Sequence, residues 1–140
     1  MSDKPGLSQV SISCVAASCK MAANLADTPE AYIRQAILME SDGAFLSNVP
    51  NGLKDLGFTG TATYSGDITV QAIKAATENG ASVIVNVRTE LGGLHAIVVD
   101  SVESGVVGIR DPWPLGVGST YSVPAIALEG ILNGGVIVHP

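Results

Sequence analysis

Three β-branched runs in the second half of the chain constrain its fold more than any other feature. SVIVNVR (82–88), LHAIVVDSV (94–102) and GVVGIRD (105–111) are separated only by Gly-containing turns. Val and Ile suit a pleated, half-buried surface, so this half reads as sheet. The first half reads as helix. From Cys14 to Leu25 the run CVAASCKMAANL is Ala-rich with apolar positions at helical spacing, behind Ser11 and Ser13 as possible N-caps. A first helix is expected to begin at or just before Cys14. Thr28-Pro29-Glu30 reads as an N-cap, a Pro at the first helical position and an acidic first turn, opening a second helix through about Met39. A third starts near Asn48 and ends before Gly57, and residues 61–65 suit a short strand. Asp67 to Glu78 has Ile68, Ala72, Ile73 and Ala76 on one face, closed by Asn79-Gly80. Pro124 to Leu132 reads as a last helix, and Gly134-Gly135 leads into a closing strand, Val136 to His139. Helices first and antiparallel strands second is an α+β order, not the alternating order of a parallel sheet.

The chain has 140 residues, 46% of them hydrophobic, enough for one ordinary core. Residues 1–8 read as a flexible lead-in and 9–140 as one domain. Seven Lys and Arg against thirteen Asp and Glu leave a net charge of −6. That balance argues against nucleic acid as a partner. No apolar run approaches the roughly 20 residues that span a bilayer, so no membrane crossing is expected. MSDKPGLSQVSIS lacks the apolar stretch of a secretory signal. The expected location is the cytoplasm, or delivery from it without a classical signal peptide, and the two cysteines suit a reducing compartment.

Cys14, at the expected helix start, would meet unpaired backbone N–H groups and the positive end of the helix dipole, both of which favour a thiolate. The plainer reading is a small buried hydrophobe. Cys19 lies five residues on, about 7.5 Å along the helix and rotated well away, so a disulfide between the two is not expected and Cys19 reads as core. A thiolate needs a base, and the chain has two histidines, His95 and the penultimate His139. His95 follows Gly92-Gly93 at the head of a strand, where a glycine-flanked loop leaves a groove open; Gly93 and Trp113 are the candidate groove wall, and the plainer reading of Trp113 is packing.

Asp111 is the candidate to orient the imidazole. With the chain turning near Glu103-Ser104-Gly105, a pairing sum of 206 or 208 puts Asp111 on the same face as His95, and 207 puts it on the other. The arrangement therefore calls for an odd loop or a bulge at Ser104-Gly105. Asp111 also precedes Pro112, where an Asp is common for turn-forming reasons alone. Asp100, five residues along the same strand, points away from His95. Gln9, five residues before Cys14, is placed to donate a second hydrogen bond beside the Cys14 amide to a developing oxyanion. Cys14, Cys19, His95 and His139 lack the close paired spacing of zinc ligands, and neither metal nor cofactor is expected.

The pieces Gln9-x4-Cys14 with SCVAASCKM, then GGLHAIVVDSVESGVVGIRDPWP, then YSVPAIALEGILNGG resemble the papain-like cysteine peptidases, most nearly the compact bacterial branch that processes double-glycine bacteriocin leaders. The resemblance spans about Gln9 to Val138 and implies a papain-like fold. It also implies Gln9 in the oxyanion hole, Cys14 as nucleophile, His95 as general base and Asp111 as its orienter, with a peptide or protein substrate. One departure stands beside the nucleophile, where that family has Gly and this chain has Val15. The same scaffold resembles glutamine deamidase and transglutaminase domains of bacterial toxins and effectors, and Val15 favours a third possibility, a peptide-binding module without turnover. A parent polypeptide or an inhibitor protein is a further conceivable partner.

Overall fold

The computed structural model describes residues 7–38, 44–90, 92–113 and 118–140. Six strands form one sheet in the order β1-β6-β2-β3-β4-β5, with every neighbouring pair antiparallel. The strands are β1 (Thr61–Ser65), β2 (Ser82–Arg88), β3 (Leu94–Glu103), β4 (Val106–Asp111), β5 (Ser119–Pro124) and β6 (Leu132–His139). The helices are α1 (Leu7–Ala22), α2 (Glu30–Ala36), α3 (Val49–Asp55, after a 3-10 turn at Leu46–Asn48), α4 (Val70–Glu78) and α5 (Ala125–Glu129). The expected α+β architecture, helices packed on an antiparallel sheet, is what forms.

Both faces of the central strands are covered, which is why they read as continuous apolar runs rather than an alternation. On one face Ile84, Ala96, Val98, Val136 and Val138 meet Cys14, Val15, Ala16 and Cys19 of α1, together with Ile33, Ile37 and Leu53. On the other, Val83, Val85, Ile97, Val99, Val107 and Ile109 pack with Ile73 of α4 and Leu128 of α5. Each fully buried aliphatic side chain of this kind contributes about 1.5–3 kcal/mol. The small residues of α1 let that helix lie close against the middle of the sheet.

Several local expectations are corrected. The α1 helix begins at Leu7, not at Cys14, so it takes in the last two residues of the segment read as a flexible lead-in. Thr28 does not cap α2: Pro29 occupies the N-cap position without a side-chain bond, and the helix ends at Ala36. The expected end at Met39 lies outside the described residues. On α4 the cap is Thr69, whose Oγ1 accepts the Ala72 N–H at 3.1 Å, so the helix starts after Asp67 and Ile68 rather than with them. The last helix shortens to five residues and the closing strand lengthens to eight. β5, for which no strand was expected, is the sheet edge beside β4.

Candidate active site

The turn between β3 and β4 sets the site's geometry. Ser104 (φ 54°) and Gly105 (φ 75°) both take positive φ, the signature of a two-residue turn whose twist matches its strands. It pairs Glu103 with Val106 and Val102 with Val107, an odd sum of 209 that by itself would put His95 and Asp111 on opposite faces. The register then shifts between Val99 and Ser101, so that Val99 pairs with Ile109 and Val98 with Arg110, a sum of 208. A bulge is therefore present, as the pairing of His95 with Asp111 requires, but at Asp100 rather than at Ser104-Gly105. Asp100 is pinned there: Arg110 bonds both of its oxygens, Nε to Oδ2 at 2.6 Å and Nη2 to Oδ1 at 3.0 Å, and Ser82 Oγ donates to Oδ1 at 2.9 Å. Arg110 Nη1 also reaches the Met21 carbonyl near the end of α1 at 3.4 Å. Continued along the strands, the 208 register sets Asp111 one position diagonal from His95 on the same face.

The two side chains meet, with His95 Nε2 2.8 Å from Asp111 Oδ1. Asp111 is buried and accepts two further bonds, from the Trp113 backbone N–H to Oδ1 at 2.9 Å and from the Tyr121 hydroxyl to Oδ2 at 2.6 Å. The first is the local turn expected of an Asp before Pro112, and the same oxygen also meets the His95 ring. Tyr121 is the residue sequence reasoning missed. Alternation in STYSV was the available signal, since Thr120 and Ser122 flank a Tyr that points to the other face of an edge strand. Burial, then the bond to Asp111 and its charge, push the Tyr121 hydroxyl's pKa up, so it stays a donor.

Cys14 is placed differently from expectation. It sits in the interior of α1, not at its N-terminal end, so helix-start stabilisation of a thiolate is lost. It is fully buried, and its thiol is pushed up to about 12, by burial foremost and then by the charge of Asp111 and, less, of Glu30. A hydrogen bond from the backbone of Ala96, the residue after His95, pulls the other way. The sulfur is thus held against the strand that carries His95, in the cluster with Ala96 and Val98, and no hydrogen bond joins it to the imidazole among the described residues. Cys19 is a free, fully buried thiol also pushed up to about 12, here by burial alone. Gln9 lies within the same helix as Cys14 rather than in a loop ahead of it. In a helix interior the backbone N–H groups are taken up by the i→i−4 ladder, so the Cys14 amide is not available there as an oxyanion donor.

Gly93 closes the β2–β3 connection: its carbonyl accepts from the Thr89 N–H at 2.9 Å and its N–H donates to Thr89 Oγ1 at 3.2 Å. Trp113 has its side chain half-exposed and touches the site through its backbone. An open concavity of about 330 Å³ lies beside Asp111, lined by Met21, Arg110, Gly118, Ser119 and Thr120, with neither Gly93 nor Trp113 in its wall. Among the described residues no cluster of His, Cys, Asp and Glu suits a metal ion, and no helix is long and apolar enough to cross a membrane.

Neither a family model nor a curated protein sequence matches the chain. Solved structures do. The peptidase domain of Streptococcus ComA, a bi-functional ABC transporter involved in a quorum-sensing pathway, is 16% identical with a TM-score of 0.73, covering 97% of this chain and 96% of that one. A putative C39-like peptidase from Bacillus anthracis is 13% identical with a TM-score of 0.63 over 96% of each chain. The peptidase domain of Streptococcus mutans ComA is 16% identical with a TM-score of 0.61, covering 79% of this chain and 86% of that one. The architecture is therefore the papain-like α+β fold of C39 peptidase domains, the fold the sequence resemblance implied.

Proposed function

We propose that this chain is a thiol-dependent hydrolase of the cysteine peptidase kind, acting on a peptide or protein substrate. The observation that carries the reading is the His95–Asp111 pair: with Nε2 committed to Asp111 at 2.8 Å, Nδ1 is the nitrogen left to take the proton of Cys14, whose thiol bonds the backbone of the next residue, Ala96. In this scheme His95 Nδ1 accepts the thiol proton as sulfur attacks the carbonyl carbon. The C–N bond breaks, the amine leaves with the proton from His95, and a thioester remains. Water then gives a proton to His95 and its oxygen to the acyl carbon, and the acid departs as the thiol is restored. For Gln9 and the Cys14 amide to hold the oxyanion, α1 has to give up the turns ahead of Cys14, which would also return the sulfur to a helix start and favour its thiolate. The same steps run on a glutamine side-chain amide.

One observation favours a second reading, a peptide-binding module without turnover. Cys14 is fully buried and pushed up to about 12, and Val15, beside it, is itself core. Incubation with peptides carrying a double-glycine segment, followed by mass analysis, separates the two. The hydrolase gives cleaved peptide and an acyl adduct on Cys14, both abolished in Cys14→Ala and His95→Gln. Peptide bound but uncut by the folded wild-type chain, with no adduct, would leave the binding module.

A further inference from the structure

The Asp111 carboxylate is held by three donors, and they are not equivalent. His95 Nε2 and the Trp113 backbone N–H both bond Oδ1, while Oδ2 is held by Tyr121 alone among the described residues. The terminal torsion of an Asp is broad and roughly two-fold. Two bonds to one oxygen leave the group free to swivel about that oxygen, and a bond to the other fixes its plane. Tyr121 is well placed for this. It stands opposite Ile109 on β5, two residues from Ser119, which pairs with Asp111, so its side chain shares a face with Asp111 across the edge of the sheet.

We propose that Tyr121 is a positioning residue for the His95–Asp111 pair: by pinning Oδ2 it fixes the carboxylate plane that holds the His95 Nε2–H and leaves Nδ1 to the thiol. The proposal deepens the hydrolase reading and rests on it for its catalytic consequence, but not for its structural one. The hydroxyl remains protonated, because a carboxylate 2.6 Å away accepts and does not donate, and the raised Tyr121 pKa agrees. Tyr121 is 40% exposed, so loss of its oxygen leaves the ring where it is and the core untouched.

The test compares the wild-type chain, Tyr121→Phe and, as a control, Tyr64→Phe, a similarly exposed tyrosine (43%) on β1 at the opposite edge of the sheet. Proton NMR reads the downfield His95 Nε2–H signal, and steady-state kinetics separates kcat from KM. Tyr121→Phe is expected to broaden that signal through faster exchange and to lower kcat by about tenfold or more with KM within about twofold. Tyr64→Phe changes neither. In an Asp111→Asn background, Tyr121→Phe has no further effect on kcat, because the residue acts through the carboxylate. An unchanged Nε2–H signal in Tyr121→Phe overturns the proposal, and so does a change in KM alone or an undiminished effect without Asp111. Should Tyr121→Phe fail to fold, biosynthetic replacement of the three tyrosines by 3-fluorotyrosine keeps the shape and makes each hydroxyl a stronger donor; only that of Tyr121 touches Asp111 among the described residues. A moved His95 signal then supports the coupling and an unmoved one overturns it. If the wild-type chain turns over no peptide, the hydrolase reading fails, while the Nε2–H signal still decides whether Tyr121 positions the pair.

Discussion

The two halves of the candidate site differ in how well their polar atoms are satisfied. On the hairpin side, Asp111 accepts three bonds, and Asp100 accepts from Ser82 and twice from Arg110. On the helix side, the Cys14 and Cys19 thiols are desolvated and pushed up to about 12. Ser18 Oγ, one turn beyond Cys14, is buried with no hydrogen-bond partner among the described residues. A satisfied polar network rigidifies its surroundings, and an unsatisfied one stores free energy that a rearrangement releases. The hairpin therefore holds a fully bonded His–Asp pair, and α1 carries a buried hydroxyl with no partner among the described residues.

The largest expected effect tests the satisfied side. Asp111→Ala strands the His95 imidazole, the Tyr121 hydroxyl and the Trp113 N–H together, and urea unfolding should show a loss of about 3 kcal/mol. A loss under about 1 kcal/mol would mean that this network does not hold the hairpin.

Alkaline pH tests the other side. Both thiols rise from 9.0 to about 12 on folding, so below pH 9 they are neutral in both states and their contribution is fully present. Above pH 9 the unfolded chain sheds these protons while the folded chain keeps them, and stability should drain away as pH climbs toward 12. Tyr121, also raised from its ordinary 10.0, adds to the loss only above about pH 10. The thermal midpoint of the Cys14→Ala/Cys19→Ala chain should accordingly stay flat between pH 9 and 10, where that of the wild-type falls.

Restarting the helix sharpens the contrast further. Ser13→Pro breaks the ladder ahead of Cys14 and supplies the residue favoured at a first helical position, so Cys14 becomes a first-turn residue. Iodoacetamide labelling of Cys14 at pH 7, followed by mass mapping, should then run at least about tenfold faster than in the wild-type chain, where Cys14 is buried and protonated. Equal rates would show that position within α1 does not control the sulfur. The smallest effect has the opposite sign from most substitutions. Ser18→Ala removes a buried hydroxyl that has no partner among the described residues and should raise stability by about 1 kcal/mol in the same urea assay.

Most of the fold was legible because it rests on short-range rules. The three β-branched runs pair with one another, and Asn79-Gly80 ends α4, since Val, Ile and Gly impose the same backbone preferences in any setting. Strand parity was legible too: that His95 and Asp111 share a face only through an extra residue follows from counting. Where that residue sits was not legible. The tight turn at Ser104-Gly105 is set by local φ preferences, whereas the bulge at Asp100 is held by Arg110, ten residues away, and by Ser82, eighteen residues away.

The start of α1 escaped for a related reason. Ser11 and Ser13 are acceptable caps by residue type, yet the helix runs through both, and the dipole argument for Cys14 depended on a start there. Tyr121 lies on an edge strand of mixed polarity, and its bond to Asp111 becomes visible only once β5 is laid against β4. By itself the sequence determined the α+β class, the central hairpins and the parity that lets a histidine meet an aspartate. Tertiary structure decided how the carboxylate is held and how deeply the thiol is buried, because both depend on groups brought together from distant parts of the chain.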